Sequence, residues 1–241
     1  MKLDILAFGA HPDDVELGCG GTLLKHIAAG QMVGIIDLTR GELGTRGTAE
    51  TRDAEAAESS KILGVAFRNN LRFRDGFLLN DEQHQMEVIK HIRFHQPEIV
   101  LCNAVNDRHT DHGMGAALIS KACFLSGLRK IETQFKGQLQ SAWRPRALYH
   151  YIQDRYIKPD VIVDITAYID KKIEAVRCFK SQFYDPTSQE PVTPISTKEF
   201  MEFLQGRAME MGRVIGVTYG EGFVSERSIG VEKLSATDFA T

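Results

Sequence analysis

Cysteine is sparse and scattered. Cys19, Cys102, Cys123 and Cys178 form no C-x-x-C pair, which speaks against a thiolate-rich structural zinc site and against a disulfide frame. Reduced thiols are expected instead, as in a cytoplasmic protein. Cys19 has no partner base at a familiar spacing that would make it a nucleophile. No apolar run approaches the ~20 residues that a membrane helix needs, and no basic amphipathic segment suggests a membrane surface. A basic surplus is missing too: 29 Lys and Arg face 32 Asp and Glu, for a net charge of −3. That balance leaves no electrostatic footprint for nucleic acid. The chain enters an apolar strand almost at once, so no signal peptide is expected. There is no repeat, low-complexity tract or linker, and 241 residues with 43% hydrophobic content are expected to form one domain, 1–241.

What is present is an alternation of apolar runs and helical patterns. Leu3–Phe8 and Met32–Leu38 are short apolar runs of the kind found in buried parallel strands. Between them, Gly20-Gly21-Thr22 leads into an expected helix over Leu23–Ala29, closed by Gly30. Thr48 is placed to cap a helix over Ala49–Leu63, which Gly64 stops. A strand over Val65–Leu71, a helix from Asn80 or Asp81 to His95 and a strand over Glu98–Cys102 follow, then a helix over Gly113–Ser126. This βα order over 3–126 predicts an α/β, Rossmann-like fold, a mostly parallel open sheet with helices on both faces. The part from 127 to 241 reads as less regular. Strands are expected at Arg146–Ile152 and Asp160–Ile165 and helices at Tyr168–Lys180 and Thr197–Gly212, with order ending at Tyr219–Phe223. The segment Asp185–Thr197 is too long for a simple connector and is a candidate lid.

Two loops follow strands and carry clustered titratable groups. The first is Ala10-His11-Pro12-Asp13-Asp14-Val15-Glu16 and the second Arg108-His109-Thr110-Asp111-His112. Functional loops of open α/β sheets lie beyond the carboxyl ends of strands, so both are expected on one sheet edge. His11, Asp14 and His112 supply two imidazoles and a carboxylate, a donor set for Zn2+ with one position open, and one that also suits Fe2+, Co2+ or Mn2+. Asp13 is then placed to serve as a base and His109 to stabilise an oxyanion or protonate a leaving amine. Asp111 would orient an imidazole, and Glu16 would give support. Each cluster alone is more simply a helix cap or a solvated loop; their coincidence favours a site. His91 and His95, four apart on one helix, lack a third ligand.

The two motifs resemble those of the LmbE-like, PIG-L-type zinc N-deacetylases, A-H-P-D-D-x-E and H-P-D-H, with Thr110 in the place of the second proline. The resemblance implies metal ligands at His11, Asp14 and His112, a general base at Asp13 and a transition-state histidine at His109 supported by Asp111. It implies removal of an acetyl group from an N-acetylglucosaminyl compound, with a water activated by the ion and by Asp13 attacking the acetyl carbonyl. The stretches Asp37–Thr48 with Arg52, Asp107–His109, Ser181–Phe183 and Tyr219–Phe223 look like the bacillithiol-biosynthesis branch, which acts on N-acetylglucosaminyl-L-malate. That branch also implies a homo-oligomer, a hexamer among the forms expected.

Arginines give a physical reason for a carboxylate-bearing aglycone. Arg40, Arg46, Arg52 and Arg108 all lie on loops or a first helical turn near the proposed metal, and Arg grips carboxylates in bidentate fashion. Arg146 and Tyr149 are weaker candidates for the same pocket. The rival readings are a deacetylase of another amino sugar (a chitooligosaccharide or an inositol conjugate), a metal-binding module without catalysis, and a nucleotide-binding protein using Gly18-x-Gly20-Gly21. The last is a weak match to the dinucleotide fingerprint.

Overall fold

Apolar continuity at the start of the chain becomes two wholly buried parallel strands, β1 (Ile5–Gly9) and β2 (Val33–Thr39), in a computed structural model that describes residues 1–230. The end of the expected single domain, 231–241, lies outside the described residues. Side chains alternate across β1. Leu6 and Phe8 join one core with Ile36 and Leu38, while Ile5 and Ala7 join another with Val33 and Ile35. A strand buried on both faces reads as an unbroken apolar run for this reason.

The helix between them, α1, spans Asp14–Ala28, so it begins nine residues before the expected start at Leu23 and takes Asp14 into its first turn. The glycines are not a phosphate loop. A Cβ on Gly18 would sit 2.1 Å from the Tyr151 ring and one on Gly21 2.8 Å from Ile165, so these glycines let α1 lie close to the sheet. Nothing in that arrangement resembles a phosphate turn, and the nucleotide-binding reading loses its only motif.

Next come α2 (Ala49–Leu63), β3 (Phe67–Phe73), α3 (Glu82–His95), β4 (Ile99–Cys102) and α4 (Thr110–Ser126). Thr48 caps α2 by accepting the Thr51 amide at 3.1 Å, and Asp81 caps α3 through the His84 amide at 3.0 Å. A small hairpin follows, β5 (Gln134–Phe135) and β6 (Gln138–Leu139), and then β7 (Ala147–Tyr151) and β8 (Val161–Asp164). Helices α5 (Ile169–Arg177) and α6 (Lys198–Val214) precede a last strand, β9 (Gly220–Ser225).

The main sheet has seven strands in the order β3-β2-β1-β4-β7-β9-β8. All pairs from β3 to β7 are parallel, and β9 runs antiparallel between β7 and β8. Helices α1, α2 and α5 pack together, and α3 with α4. The fold is therefore the expected α/β type with a mostly parallel sheet. The segment after 126 is more regular than expected, because it completes this same sheet. Strand β1 lies between β2 and β4, where the order reverses, and that reversal opens a crevice above the two motif loops. No helix among the described residues is long and apolar enough to cross a membrane.

Candidate active site

Five loops at the carboxyl ends of parallel strands converge on a cavity of about 350 Å³. They follow β1, β2, β3, β4 and β7. His11, Asp13, Asp14, His109 and His112 all line it, as do Arg46, Arg52 and Arg108. The first loop is tight: Asp13 has φ 122°, in the left-handed range that non-glycine residues avoid, and its carbonyl accepts the Leu17 amide at 2.9 Å to start α1. Helix α4 starts at Thr110 rather than Gly113, so His109 is its N-cap and His112 stands on its first turn.

Asp14 is the centre of the cluster. Its Oδ1 lies 3.1 Å from His112 Nε2, and its Oδ2 lies 3.5 Å from His11 Nδ1. It also accepts the His11 amide (2.9 Å), Asn103 Nδ2 (2.9 Å) and Gln153 Nε2 (2.8 Å). The outer nitrogen of each imidazole meets another carboxylate: His112 Nδ1 is 2.6 Å from Asp107, and His11 Nε2 is 3.1 Å from Asp75. This pattern makes the outer nitrogens donors; the inner nitrogens face Asp14 and become lone-pair donors to a cation once they give up their protons to it. Burial alone would lower the His112 imidazole, but the Asp14 charge and the hydrogen bond to Asp107 prevail and push it up to about 9. Burial likewise opposes the Asp14 charge, yet His112 and His11 hold its carboxyl well below the usual range.

Two groups of three have ligand atoms within 4.8 Å of one another among the described residues: His11/His109/His112 and His11/Asp75/Asp111. Neither is the expected set. His109 Nδ1 already accepts the Asp111 amide at 3.3 Å, so binding a cation through Nε2 would require a fully deprotonated ring. Asp75 and Asp111 face the outer nitrogen of His11 and are better suited to orient it. The donor chemistry therefore fits a divalent cation among His11 Nδ1, Asp14 and His112 Nε2.

Asp13 is 5% exposed, and one oxygen accepts Arg52 Nη2 at 2.9 Å. Burial pushes its carboxyl up to about 7 against the pull of Arg52, and the nearby Asp14 charge adds to the rise. A group balanced there can take and return a proton near neutrality. His109 lies edge-on to His11 with ring centroids 4.5 Å apart. Burial and then the neighbouring imidazoles lower its pKa, and its Nδ1 is an acceptor, so the proton sits on Nε2 of a neutral ring.

Several expected roles are corrected by this geometry. Asp111 meets the His109 ring through its amide and not through its carboxylate, which accepts the Gly76 amide at 2.7 Å and lies 3.5 Å from His11 Nε2. Arg40 is outside the cavity lining, held by Asp53 (2.6 Å) and Glu50 (3.1 Å). Arg52 is committed to Asp13 and to the Pro12 carbonyl. Arg46 donates to Ser188 Oγ (2.7 Å) and Glu190 (3.4 Å). Arg108 meets Asp154 at 2.9 Å and stays half exposed. Arg146 pairs with Glu98 at the opposite end of its strand, and neither it nor Tyr149 lines the cavity. Glu16 turns away toward Ser59 and Arg68, both at 2.6 Å. Of the candidate lid, Thr193, Pro194 and Ile195 reach the cavity.

Sequence reasoning assigned no role to Asp75, Asn103, Asp107 or Gln153. Asp75 and Asp107 did carry a signal: each is an acidic residue on a loop just beyond a parallel strand, and Asp107 precedes His112 by little more than one helical turn.

The region that builds this site, residues 6–123, matches the family model described as PIG-L, GlcNAc-PI de-N-acetylase. Over 90% of its length the chain is 29% identical to the diacetylchitobiose deacetylase of Thermococcus kodakarensis, covering 81% of that protein. The conserved protein TT1542 from Thermus thermophilus superposes with a TM-score of 0.84 at 37% identity, covering 97% of this chain and 100% of that one. The N,N'-diacetylchitobiose deacetylase of Pyrococcus horikoshii does so at 0.77 and 29%, with coverage of 92% and 82%. The matched region runs from β1 through nearly all of α4 and so contains both motif loops. Residues 6–123 of this chain are thus a region of the PIG-L-type, LmbE-like de-N-acetylase family.

Proposed function

We propose that the protein hydrolyses the N-acetyl group of an N-acetylglucosaminyl conjugate. The observation that carries this reading is Asp14 placed between the inner nitrogens of His11 and His112, with a near-neutral carboxyl, Asp13, beside it. His11, Asp14 and His112 would hold a divalent ion, zinc or another such as Fe2+, which would supply Lewis acidity toward the amide carbonyl and lower the pKa of water. Asp13 accepts the proton of the attacking water through the oxygen that Arg52 leaves free. His109 donates from Nε2 to the oxygen that gains charge as the carbonyl carbon becomes tetrahedral. The C–N bond then breaks, and Asp13 returns its proton to the departing amine.

For the aglycone we read a carboxylate-bearing group, as in N-acetylglucosaminyl-L-malate of bacillithiol biosynthesis. Arg108 supports this: it is half exposed on the cavity wall and meets only Asp154, a pairing worth about 0–1 kcal/mol in water, so a substrate carboxylate can replace it. Chitooligosaccharides are the second reading, favoured by the Thermococcus relative. The test is release of free amine from N-acetylglucosaminyl-malate, diacetylchitobiose and an inositol conjugate by metal-loaded protein. Preference for the malate compound that collapses in Arg108→Ala is expected. Equal rates on charged and neutral aglycones would overturn the malate reading, and no amine from any would overturn deacetylation.

A further inference from the structure

The Tyr219-Gly-Glu-Gly-Phe223 stretch has no part in the chemistry above, yet its glutamate is among the most buried charges in the protein. Glu221 is 4% exposed and lies on β9, on the cavity wall. Its Oε1 accepts the Gly21 amide at 2.9 Å, and its Oε2 accepts the Thr22 amide at 2.6 Å. Both amides belong to α1, which is not one continuous helix: Cys19 has φ −146° and ψ 15°, so the helix breaks there. Glu221 thus caps the second half of α1 from the far end of the chain.

The other side of the break is also closed. Lys172 of α5, 2% exposed, donates to the Leu17 carbonyl at 2.8 Å and to Glu221 Oε1 at 2.6 Å. One buried ion pair therefore satisfies the Leu17 carbonyl near the end of the short first piece and the Gly21 and Thr22 amides near the start of the second. The glycines that flank Glu221 sit in tight surroundings. A Cβ on Gly220 would lie 2.7 Å from Ile162 and 3.0 Å from the Gly212 backbone, and one on Gly222 would press on Met211 Sδ at 3.0 Å, so the glycines let β9 pack tightly against β8 and α6 on either side of Glu221. The first piece, Asp14–Gly18, is the turn on which Asp14 stands, and Asp13, the N-cap just before it, is in the unfavourable φ 122° conformation. Strain of this kind persists only where the surroundings over-determine it.

We propose that Glu221 and Lys172 are positioning residues: their ion pair splints the broken helix and fixes the single turn that presents Asp13 and Asp14. The proposal rests on the roles given to Asp13 and Asp14 above. A buried pair loses most when one charge is left alone, so the informative variants are Glu221→Gln and the charge-free double Glu221→Gln with Lys172→Met, which leaves no unpaired charge to prevent folding. Hydrogen exchange of metal-free protein and steady-state kinetics of loaded protein are measured together. In both variants the peptide covering 10–22 should exchange at least tenfold faster while β2 and β4 keep their protection, and kcat should fall about tenfold or more with KM within about threefold. Unchanged exchange in 10–22 with kcat within twofold overturns the splint, as does exchange that rises equally throughout the core, which marks a purely global stabilising role. If the parent releases no amine from any conjugate, the deacetylase reading fails while the exchange data still decide on the splint.

Discussion

Asp13 combines an unfavourable backbone with a carboxylate kept from water, and Arg52 is the group that keeps it ionisable. Since the guanidinium lowers a carboxyl that burial raises, its removal should move the pKa further up from about 7. The acid limb of kcat/KM in Arg52→Met should therefore shift to higher pH by about one unit or more, with activity recovering as pH rises. A pH–rate profile identical to that of the parent would remove Asp13 from the role of base. Asp13→Ala should retain metal, measured by elemental analysis, while turnover drops by roughly 10²-fold or more. At this scale the sequence was most informative where residues of one site are neighbours in the chain. His11, Asp13 and Asp14 fall within four positions, as do His109 and His112, and the chemistry of each group is visible in the letters. Asp75 and Asp107, which orient the imidazoles, come from separate loops, and a single aspartate carries no spacing. The adjacency of Asp111 to His109 suggests a side-chain partner, whereas starting α4 at Thr110 sends the Asp111 carboxylate to Gly76 and His11.

Local signals fixed some elements and failed at others for definable reasons. Helix α2 was legible at both ends because Thr48 and Gly64 are caps that act through their own neighbours, and Gly64 takes the left-handed φ of 77°. Helix α1 is legible only from Leu23 because Gly18, Gly20 and Gly21 interrupt its pattern, a low helical propensity that tertiary contacts override. Strand β9 was not foreseen: Gly-Glu-Gly has neither alternation nor β propensity, and it holds its place through pairing with β7 and β8. Gly18 offers a test of how firmly such contacts hold α1. Tyr151 is fully buried and its hydroxyl donates to the Phe8 carbonyl at 2.8 Å, so the ring cannot retreat from a new Cβ only 2.1 Å away. Gly18→Ala should lower stability by about 1–3 kcal/mol, read as a fall in the urea midpoint with unchanged slope. An unmoved midpoint would mean that α1 can slide along the sheet, contrary to its anchoring by Glu221.

Across the whole molecule, titratable groups divide between the two sides of the sheet. The site and its carboxylates crown one edge, while α3 carries His91 and His95 into the packing against α4 and the β5–β6 hairpin, away from the cavity. His91 is 3% exposed, its Nδ1 has no partner, and burial depresses its pKa to about 4, with Glu87 opposing only in part. In the unfolded chain it titrates near 6.5. Above that pH both states are neutral and His91 has no effect on stability. Between 6.5 and 4 the unfolded chain binds the proton and the folded protein resists it, so stability falls as the pH falls through this window, by at most about 3 kcal/mol. Replacement by Leu, which has no proton to bind, should cut the stability lost between pH 7 and pH 4.5 by about 2 kcal/mol relative to the parent. Urea unfolding of metal-free protein at the two pH values measures it. The carboxylates around His11 and His112 also respond to acid, but they are common to both proteins and cancel in the difference. Equal acid losses would show that His91 is protonated in the folded state, and therefore that α3 opens at this end more readily than its packing implies.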